Sequence, residues 1–333
     1  MTVLVTGGGG FLGGAVVRQL VARGETVRSF SRGRYPHLDE VGVECFQGDL
    51  ADSSAVDRAV RGCRSVVHVA ARPGIWGRRE EFWRPNVLGT RHVLDACRNQ
   101  GVERLVYTSS PSVVHGKEDI EGGDESIPYP DVYQAYYPET KAEAERMVLD
   151  SNSRNLATLS LRPHLIWGPG DNQLLPRLVA KARSGRLALI GDGSNLVDTT
   201  FVEDAAAAHL LALDRLDPGA SCAGRAYFIT QGEPWPLLRI VNGLLQAAGA
   251  PRVRRHISFS TANRIGWLLE RIYGFFRVSS EPPMTRFLAH QLSTTHWFDI
   301  GAARRDLGYA PSVSIEEGLE ILASTGSAAS NGE

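Results

Sequence analysis

Short apolar runs alternate with stretches of helical spacing through the first half of the chain. Residues 2–6, 26–30, 43–46, 65–70, 104–109 and 156–162 are brief, apolar and rich in β-branched side chains, and they predict strands. Residues 11–23, 53–61, about 80–100 and 138–151 repeat apolar positions at helical spacing and predict helices; Gly24 stands just past the first. Strands alternating with helices predict an α/β fold: a doubly wound parallel sheet of Rossmann type, covered on both faces.

The pattern changes after Pro163, where Pro169, Gly170, Pro176, Gly185, Gly191 and Gly193 punctuate shorter pieces. One further run, residues 225–229, is expected to return to the main sheet, and most of 233–325 reads as helices of a smaller lobe. The expected division is a dinucleotide-binding domain at 1–168, to which 198–232 returns. A C-terminal substrate lobe takes 169–197 and 233–326, and a tail at 327–333 is expected to fray.

Composition narrows the function classes. The chain has 333 residues, 43% of them hydrophobic, and a formal net charge of -1. That balance gives no electrostatic case for nucleic acid or an anionic membrane beyond local patches. The first residues enter a strand at once and lack a signal-peptide layout. No apolar run reaches the roughly 18 to 20 residues of a membrane span. Cys45, Cys63, Cys97 and Cys222 show neither CxxC pairing nor metal spacing and read as reduced packing residues of a cytoplasmic protein. No His/Asp/Glu cluster has the spacing of metal ligands, so no metal is expected.

Gly7, Gly10 and Gly13 fit G-x-x-G-x-x-G between the first strand and the first helix. Glycines there allow a tight turn, let the backbone of Gly7, Gly10, Phe11, Leu12 and Gly13 approach a pyrophosphate, and let helix and strand pack closely. The second strand ends in Phe30-Ser31-Arg32 rather than in an acid. An acid would bind a ribose 2′-hydroxyl and repel a 2′-phosphate; Ser31 and Arg32 would hold the phosphate. NADP(H) is therefore the expected cofactor.

Tyr137 and Lys141 stand one helical turn apart, with Pro138 suited to the first turn, so Tyr137 is expected at the helix mouth. A nearby ammonium would lower the phenol pKa and fit Tyr137 for proton exchange with a carbonyl or alcohol. The hydroxyls of Thr108, Ser109 and Ser110, after the fifth strand, would hold the substrate oxygen. Trp76 and Trp167 are expected near the cleft, and His68 reads as a hydrogen-bonded core histidine.

With these pieces together the chain resembles the extended short-chain dehydrogenase/reductase family over nearly all its length. The matching stretches include Thr6–Gly13, Gly48-Asp49-Leu50, His68-Val69-Ala70-Ala71, Asn86–Thr90, Ser109-Ser110, Tyr137–Lys141 and Leu161-Arg162-Pro163. The resemblance implies that Asp49 and Leu50 hold the adenine and that Ala70 also meets the cofactor. It implies that Lys141 holds the nicotinamide ribose, that Pro163 and Leu165 flank the nicotinamide, and that Ser110 joins Tyr137 on the substrate oxygen. A homodimer through a four-helix interface is also implied.

Nucleotide-sugar epimerases carry an arginine that grips the diphosphate where this chain has Val197. The sequence instead resembles the 3β-hydroxysteroid dehydrogenase branch. Residues 72–77, 165–171, 226–234 and 285–289 are similar to those of members that use NADPH to reduce long-chain 2-alkyl-3-oxo acids in bacterial olefin biosynthesis. That resemblance implies a hydrophobic 3-oxo acid substrate and leaves open an assembly with other enzymes of that pathway. A steroid or sterol dehydrogenase is the alternative. An epimerase is disfavoured by Val197, and a non-catalytic NADP-binding sensor by the presence of Ser110, Tyr137 and Lys141. For the substrate carboxylate His115, Arg72 and Arg177 are all candidates. The apolar stretch 257–276 reads as a packed helix, an acyl-pocket wall, or a face for a partner or membrane.

Overall fold

A computed structural model describes residues 1–330, with side chains through Thr325. Seven parallel strands form the central sheet: β1 (Thr2–Thr6), β2 (Thr26–Ser31), β3 (Glu44–Gln47), β4 (Ser65–His68), β5 (Arg104–Thr108), β6 (Ala157–Pro163) and β7 (Ala226–Ile229). Their spatial order is β7-β6-β5-β4-β1-β2-β3, so the winding reverses beside β1. Ligands of such sheets bind at that reversal, outside the carboxyl ends of the strands. The expected doubly wound Rossmann fold is the one observed.

β1 shows why the sheet needs cover on both sides. Its side chains alternate across the sheet. Val3 and Val5 are buried in one apolar cluster with α1 (Phe11–Ala22), and Leu4 is buried in another with α2 (Ser53–Val60) and α3 (Gly89–Gln100). A strand apolar on both faces is stable only between two helical layers.

Two helices depart from the sequence expectation. The stretch expected as one helix at 80–100 contains a π-helical turn, Arg84–Leu88, ahead of α3. Pro85 has no N–H to give to an α-helical ladder there. Asn86 in this turn is buried, accepts from the Arg72 N–H at 2.7 Å and donates to Thr140 Oγ1 at 3.0 Å. Next, α4 (Tyr136–Asp150) begins two residues before Pro138, which still lies in the first turn, where backbone N–H groups have no helical partner.

The run expected at 225–229 does join the sheet: β7 pairs with β6 from Ala226↔Ser160 to Ile229↔Pro163. In sequence it is preceded by α5 (Val202–Arg215), which packs with α1. The second half also builds a small four-stranded sheet in which Val197 pairs with Trp235 and His296, and the strand His296–Phe298 pairs with Ile120–Gly123. Helices α6 (Phe259–Phe275) and α7 (Arg286–Ser293) pack on each other. A last helix, Ile315–Ser330, runs into the tail expected to fray; 331–333 lie outside the described residues.

His68 bridges Thr6 Oγ1 at 2.7 Å and Thr90 Oγ1 at 3.0 Å, as a core histidine should. His209 contacts Thr108 Oγ1 and the Ala205 carbonyl oxygen, each at 2.7 Å. Burial pushes His68 down to about 3, helped by the Lys141 charge, and pushes His209 and His115 down to about 4. In the unfolded chain each would take up a proton near pH 6.5. The stability these neutral rings allow is therefore complete above pH 6.5 and is lost as the pH falls toward 4, by roughly 3 kcal/mol per ring at pH 4. Denaturant unfolding of the cofactor-free protein at pH 7, 5.5 and 4.5 should show a steep acid loss; equal stability at all three would contradict it.

Candidate active site

A cleft of about 940 Å³ opens at the carboxyl ends of β1, β2, β4, β5 and β6. Its floor is the glycine turn. Gly7 has φ +74°, a left-handed conformation that disfavours a side chain, and its N–H donates to the Phe30 carbonyl at 2.8 Å. A Cβ at Gly13 would lie 2.1 Å from the Gly7 carbonyl oxygen, so only glycine lets α1 come this close. The N-cap of α1, Gly10, offers no side-chain cap, and the first turn holds no acid. Its free N–H groups and the positive end of the helix dipole suit a pyrophosphate.

Gly7, Gly10, Phe11, Leu12, Gly13, Ser31, Arg32, Asp49, Leu50, Ala70, Ser110, Tyr137, Pro163 and Leu165 all line this one cleft. The size and the glycine cradle fit a dinucleotide. Of the expected catalytic and cofactor-binding residues, Lys141 alone is not on the wall but buried behind it. At the β2 end, Ser31 Oγ accepts from the Gly9 N–H at 3.5 Å. Arg32 is exposed and takes part in no ion pair among the described residues, whereas Arg34 lies 4.0 Å from Asp39. At the other end, Leu165 holds φ +43°, a conformation that costs a branched side chain about 1–3 kcal/mol. Neighbouring Thr200 fixes it, donating through Oγ1 to the His164 carbonyl at 2.7 Å.

The chemistry-bearing face belongs to α4. Tyr137, Lys141 and Glu145 follow one another at four-residue steps and so share one side of the helix. Lys141 Nζ donates to the Thr108 carbonyl at 2.6 Å and sits 4.1 Å from the centre of the Tyr107 ring. Burial pulls its pKa down to about 7, against the opposing attraction of Glu145. Tyr137 departs from expectation: burial raises its pKa, with neighbouring Ser110 acting the other way. Ser110 Oγ in turn accepts from the Ser112 N–H at 3.2 Å and the Ser112 hydroxyl at 3.0 Å. Tyr137 and Ser110 thus present paired hydroxyls to the cleft.

Residues 4–259 match the model of the 3-beta hydroxysteroid dehydrogenase/isomerase family. The chain belongs to that family. Its members are NAD(P)-dependent oxidoreductases, and so is this protein. The 2-alkyl-3-oxoalkanoate reductase of Stenotrophomonas maltophilia is 54% identical over 98% of this chain and 100% of its own length. The decarboxylating sterol-4-alpha-carboxylate 3-dehydrogenase of Mus musculus is 37% identical over 95% of this chain and 88% of its own. Among solved structures, the Thermus thermophilus UDP-glucose 4-epimerase complex with NAD aligns with a TM-score of 0.76 at 25% identity, covering 99% of this chain and 100% of that one.

Within the family frame, several residues expected at the cleft lie elsewhere. Trp167 is buried, with Nε1 donating to Thr199 Oγ1 at 2.9 Å and its ring edge-on to Phe201. Trp76 donates to the Val278 carbonyl at 3.0 Å and meets Tyr273. Two candidates for a substrate carboxylate are already engaged: Arg72 with Glu81 at 2.7 Å, and Arg177 with Glu281 at 3.2 Å. His115 is buried, and its Nε2 has no hydrogen-bond partner among the described residues. None of residues 257–276 lines the cleft. Tyr35 and the run Asn172–Leu174 do line it, though no sequence signal marked them. Tyr35 is placed by the glycine turn itself, its ring lying where a side chain at Gly9 would be.

Glu145 anchors the helix. It accepts from Arg162 Nη2, Tyr129 OH and Ser160 Oγ, each at 2.7 Å. Burial works against its charge, and Arg162 with these hydrogen bonds outweighs that and holds its pKa below the ordinary value. Glu145→Gln leaves the Arg162 guanidinium buried without a counter-ion, which should cost about 3–5 kcal/mol of folding stability. Urea unfolding tests this; a loss under about 1 kcal/mol would mean that the pair is not a fixed point of the fold.

Proposed function

We propose that this protein reduces a long-chain 2-alkyl-3-oxoalkanoic acid to the 2-alkyl-3-hydroxyalkanoic acid with NADPH, as a step in olefin hydrocarbon biosynthesis. One observation carries the reading: Tyr137 and Ser110 meet on the wall of a dinucleotide-sized cleft in a chain more than half identical to a reductase of that substrate class. The nicotinamide cofactor supplies the hydride when bound. Ser110 donates a hydrogen bond to the oxo oxygen, and Tyr137 delivers the proton that completes the hydroxyl. The raised pKa of Tyr137 keeps the phenol protonated until negative charge develops on that oxygen. Lys141 lies one turn deeper, where its charge favours the phenolate left behind.

NADPH over NADH rests on Ser31 and Arg32. The guanidinium is exposed, free of any ion pair among the described residues, and on the cleft rim. A second reading, oxidation of a sterol acid, is favoured by the sterol relative. Both relatives' names place a carboxylate on the carbon next to the one that exchanges hydride. The shared reaction centre is thus a β-oxo or β-hydroxy acid, and only the apolar remainder differs.

The deciding experiment measures kcat/KM for NADPH oxidation against 2-alkyl-3-oxo acids of rising chain length, 3-oxosteroids and nucleotide sugars. Long 2-alkyl-3-oxo acids should lead, gaining with each methylene until the pocket is full; a lead by sterols moves the reading to the second one. Tyr137→Phe should lower turnover about 10²–10⁴-fold with NADPH affinity nearly unchanged. Turnover near that of the parent would remove Tyr137 from the reaction.

Arg32→Ala should lower kcat/KM for NADPH by about ten- to a hundredfold and leave NADH almost untouched, the worth of one charge-assisted phosphate bond. An NADH preference in the parent protein would overturn the cofactor assignment.

A further inference from the structure

The dinucleotide turn uses glycine at 7, 10 and 13, yet the chain has glycine at 8 and 9 as well. Gly9 does not hold a positive φ, so its backbone does not call for glycine. What excludes a side chain there is Tyr35. A Cβ at Gly9 would lie 2.1 Å from Tyr35 Cδ2 and 2.3 Å from its Cγ. The other end of the same ring meets Gly33, where a Cβ would lie 3.3 Å from Cζ and from the hydroxyl oxygen. The ring thus spans the gap between the glycine turn and the loop after β2. It lines the cleft together with Ser31, Arg32 and Gly33.

The loop is held through its backbone. The Tyr35 carbonyl accepts from the Leu38 N–H at 2.9 Å, and Leu38 is buried. The Arg32 carbonyl accepts from Gln47 Nε2 at 3.0 Å. Such bonds fix where the loop runs and leave the side chains of Arg32 and Tyr35 to a ligand. The phenol is unused. Tyr129 and Tyr133, also half-buried, donate to Glu145 and to the Val113 carbonyl, whereas the Tyr35 hydroxyl joins no hydrogen bond among the described residues. A phenylalanine would fill the same space over Gly9. A free phenol next to an arginine outside any ion pair offers two donors to an anion.

We propose that Tyr35 selects the cofactor: its ring forms one wall of the pocket for the 2′-phosphate of NADPH, and its hydroxyl donates to that phosphate alongside Ser31 and Arg32. The inference rests on the NADPH reading above and adds a residue that no sequence signal marked. NADH carries a neutral hydroxyl in that place, from which the phenol gains far less. Glycine at 9 then has a physical cause, since it leaves the space that the ring fills. A side chain there would push the ring off the turn and open the pocket.

The test is calorimetric binding of NADPH, NADH and adenosine 2′,5′-bisphosphate to the full chain, with a melting curve for each variant. Tyr35→Phe should weaken NADPH and the bisphosphate about tenfold, leave NADH within about twofold, and melt with the parent. Tyr35→Ala should lose at least as much NADPH affinity. Gly9→Ala should weaken NADPH in the parent and have little effect in the Tyr35→Ala background, because both changes act on one ring. Unchanged NADPH affinity in Tyr35→Phe overturns the proposal. So does an equal loss for NADPH and NADH, since the phenol would then serve the part the two cofactors share. A parent that prefers NADH rejects the cofactor reading and this proposal with it. A parent that prefers NADPH, with Tyr35→Phe indifferent, rejects this proposal alone.

Discussion

The buried pair of Glu145 and Arg162 sets the frame on which the site is built. Glu145 belongs to α4, two turns past Tyr137, and Arg162 to β6, one residue before Pro163 at the cleft. One interaction therefore fixes the roll of the helix that carries the proton donor and the height of the strand that forms the opposite wall. Both charges lie out of water, and burying them costs more than their attraction alone would return. Extra hydrogen bonds from Tyr129 and Ser160 to the carboxylate offset part of that cost. What the pair supplies is position: an apolar pair of the same volume would tolerate rotation of α4 by a fraction of a turn, and this one does not.

A second buried chain of polar groups ties the cofactor end to the catalytic end. Thr6, the last residue of β1, contacts His68; His68 contacts Thr90; Thr90 donates to the Asn86 carbonyl; and Asn86 donates to Thr140, which donates to the carbonyls of Tyr136 and Tyr137. The π turn at Pro85 makes this possible, because it turns Asn86 inward between α4 and the loop at Arg72. Thr6 also accepts from the Ala70 N–H at 3.1 Å, on the cleft wall. Polar groups this deep are stable only when every member has a partner. The glycine turn and the mouth of α4 are thus held in fixed relation without either touching the other.

The parts of this fold that were legible in the sequence are those whose physics is local. Alternating buried strands, the glycine turn and the one-turn spacing of Tyr137 and Lys141 depend on neighbours a few residues away. The π turn was hidden because its cause, Pro85, also fits an ordinary first turn. The paired strands around Val197 span two or three residues, too few for a period to show. The engagement of Arg72 and Arg177 by acids, and the burial of Trp167, depend on what the distant chain brings beside them. Burial also reversed one electrostatic expectation. Lysine four residues on should acidify Tyr137, yet the burial of the phenol outweighs this and raises its pKa.

The fold aligned with a UDP-glucose epimerase leaves few free cations here for a diphosphate. Val197 sits in an apolar cluster with Trp167, Leu237 and Ile240, and is buried. A diphosphate placed there would lose its water and find no charge to replace it. Arg72, on the cleft wall, and Arg177 are neutralised by Glu81 and Glu281. The cation left free at the cleft rim is Arg32, at the far end from Tyr137 and suited to the cofactor. Free positive charge on the wall of the cleft thus lies, among the described residues, at the end where Ser31 and Arg32 stand. A ligand with one carboxylate and long alkyl chains gives up less hydration on entering such a cleft than a nucleotide sugar, which brings two phosphates.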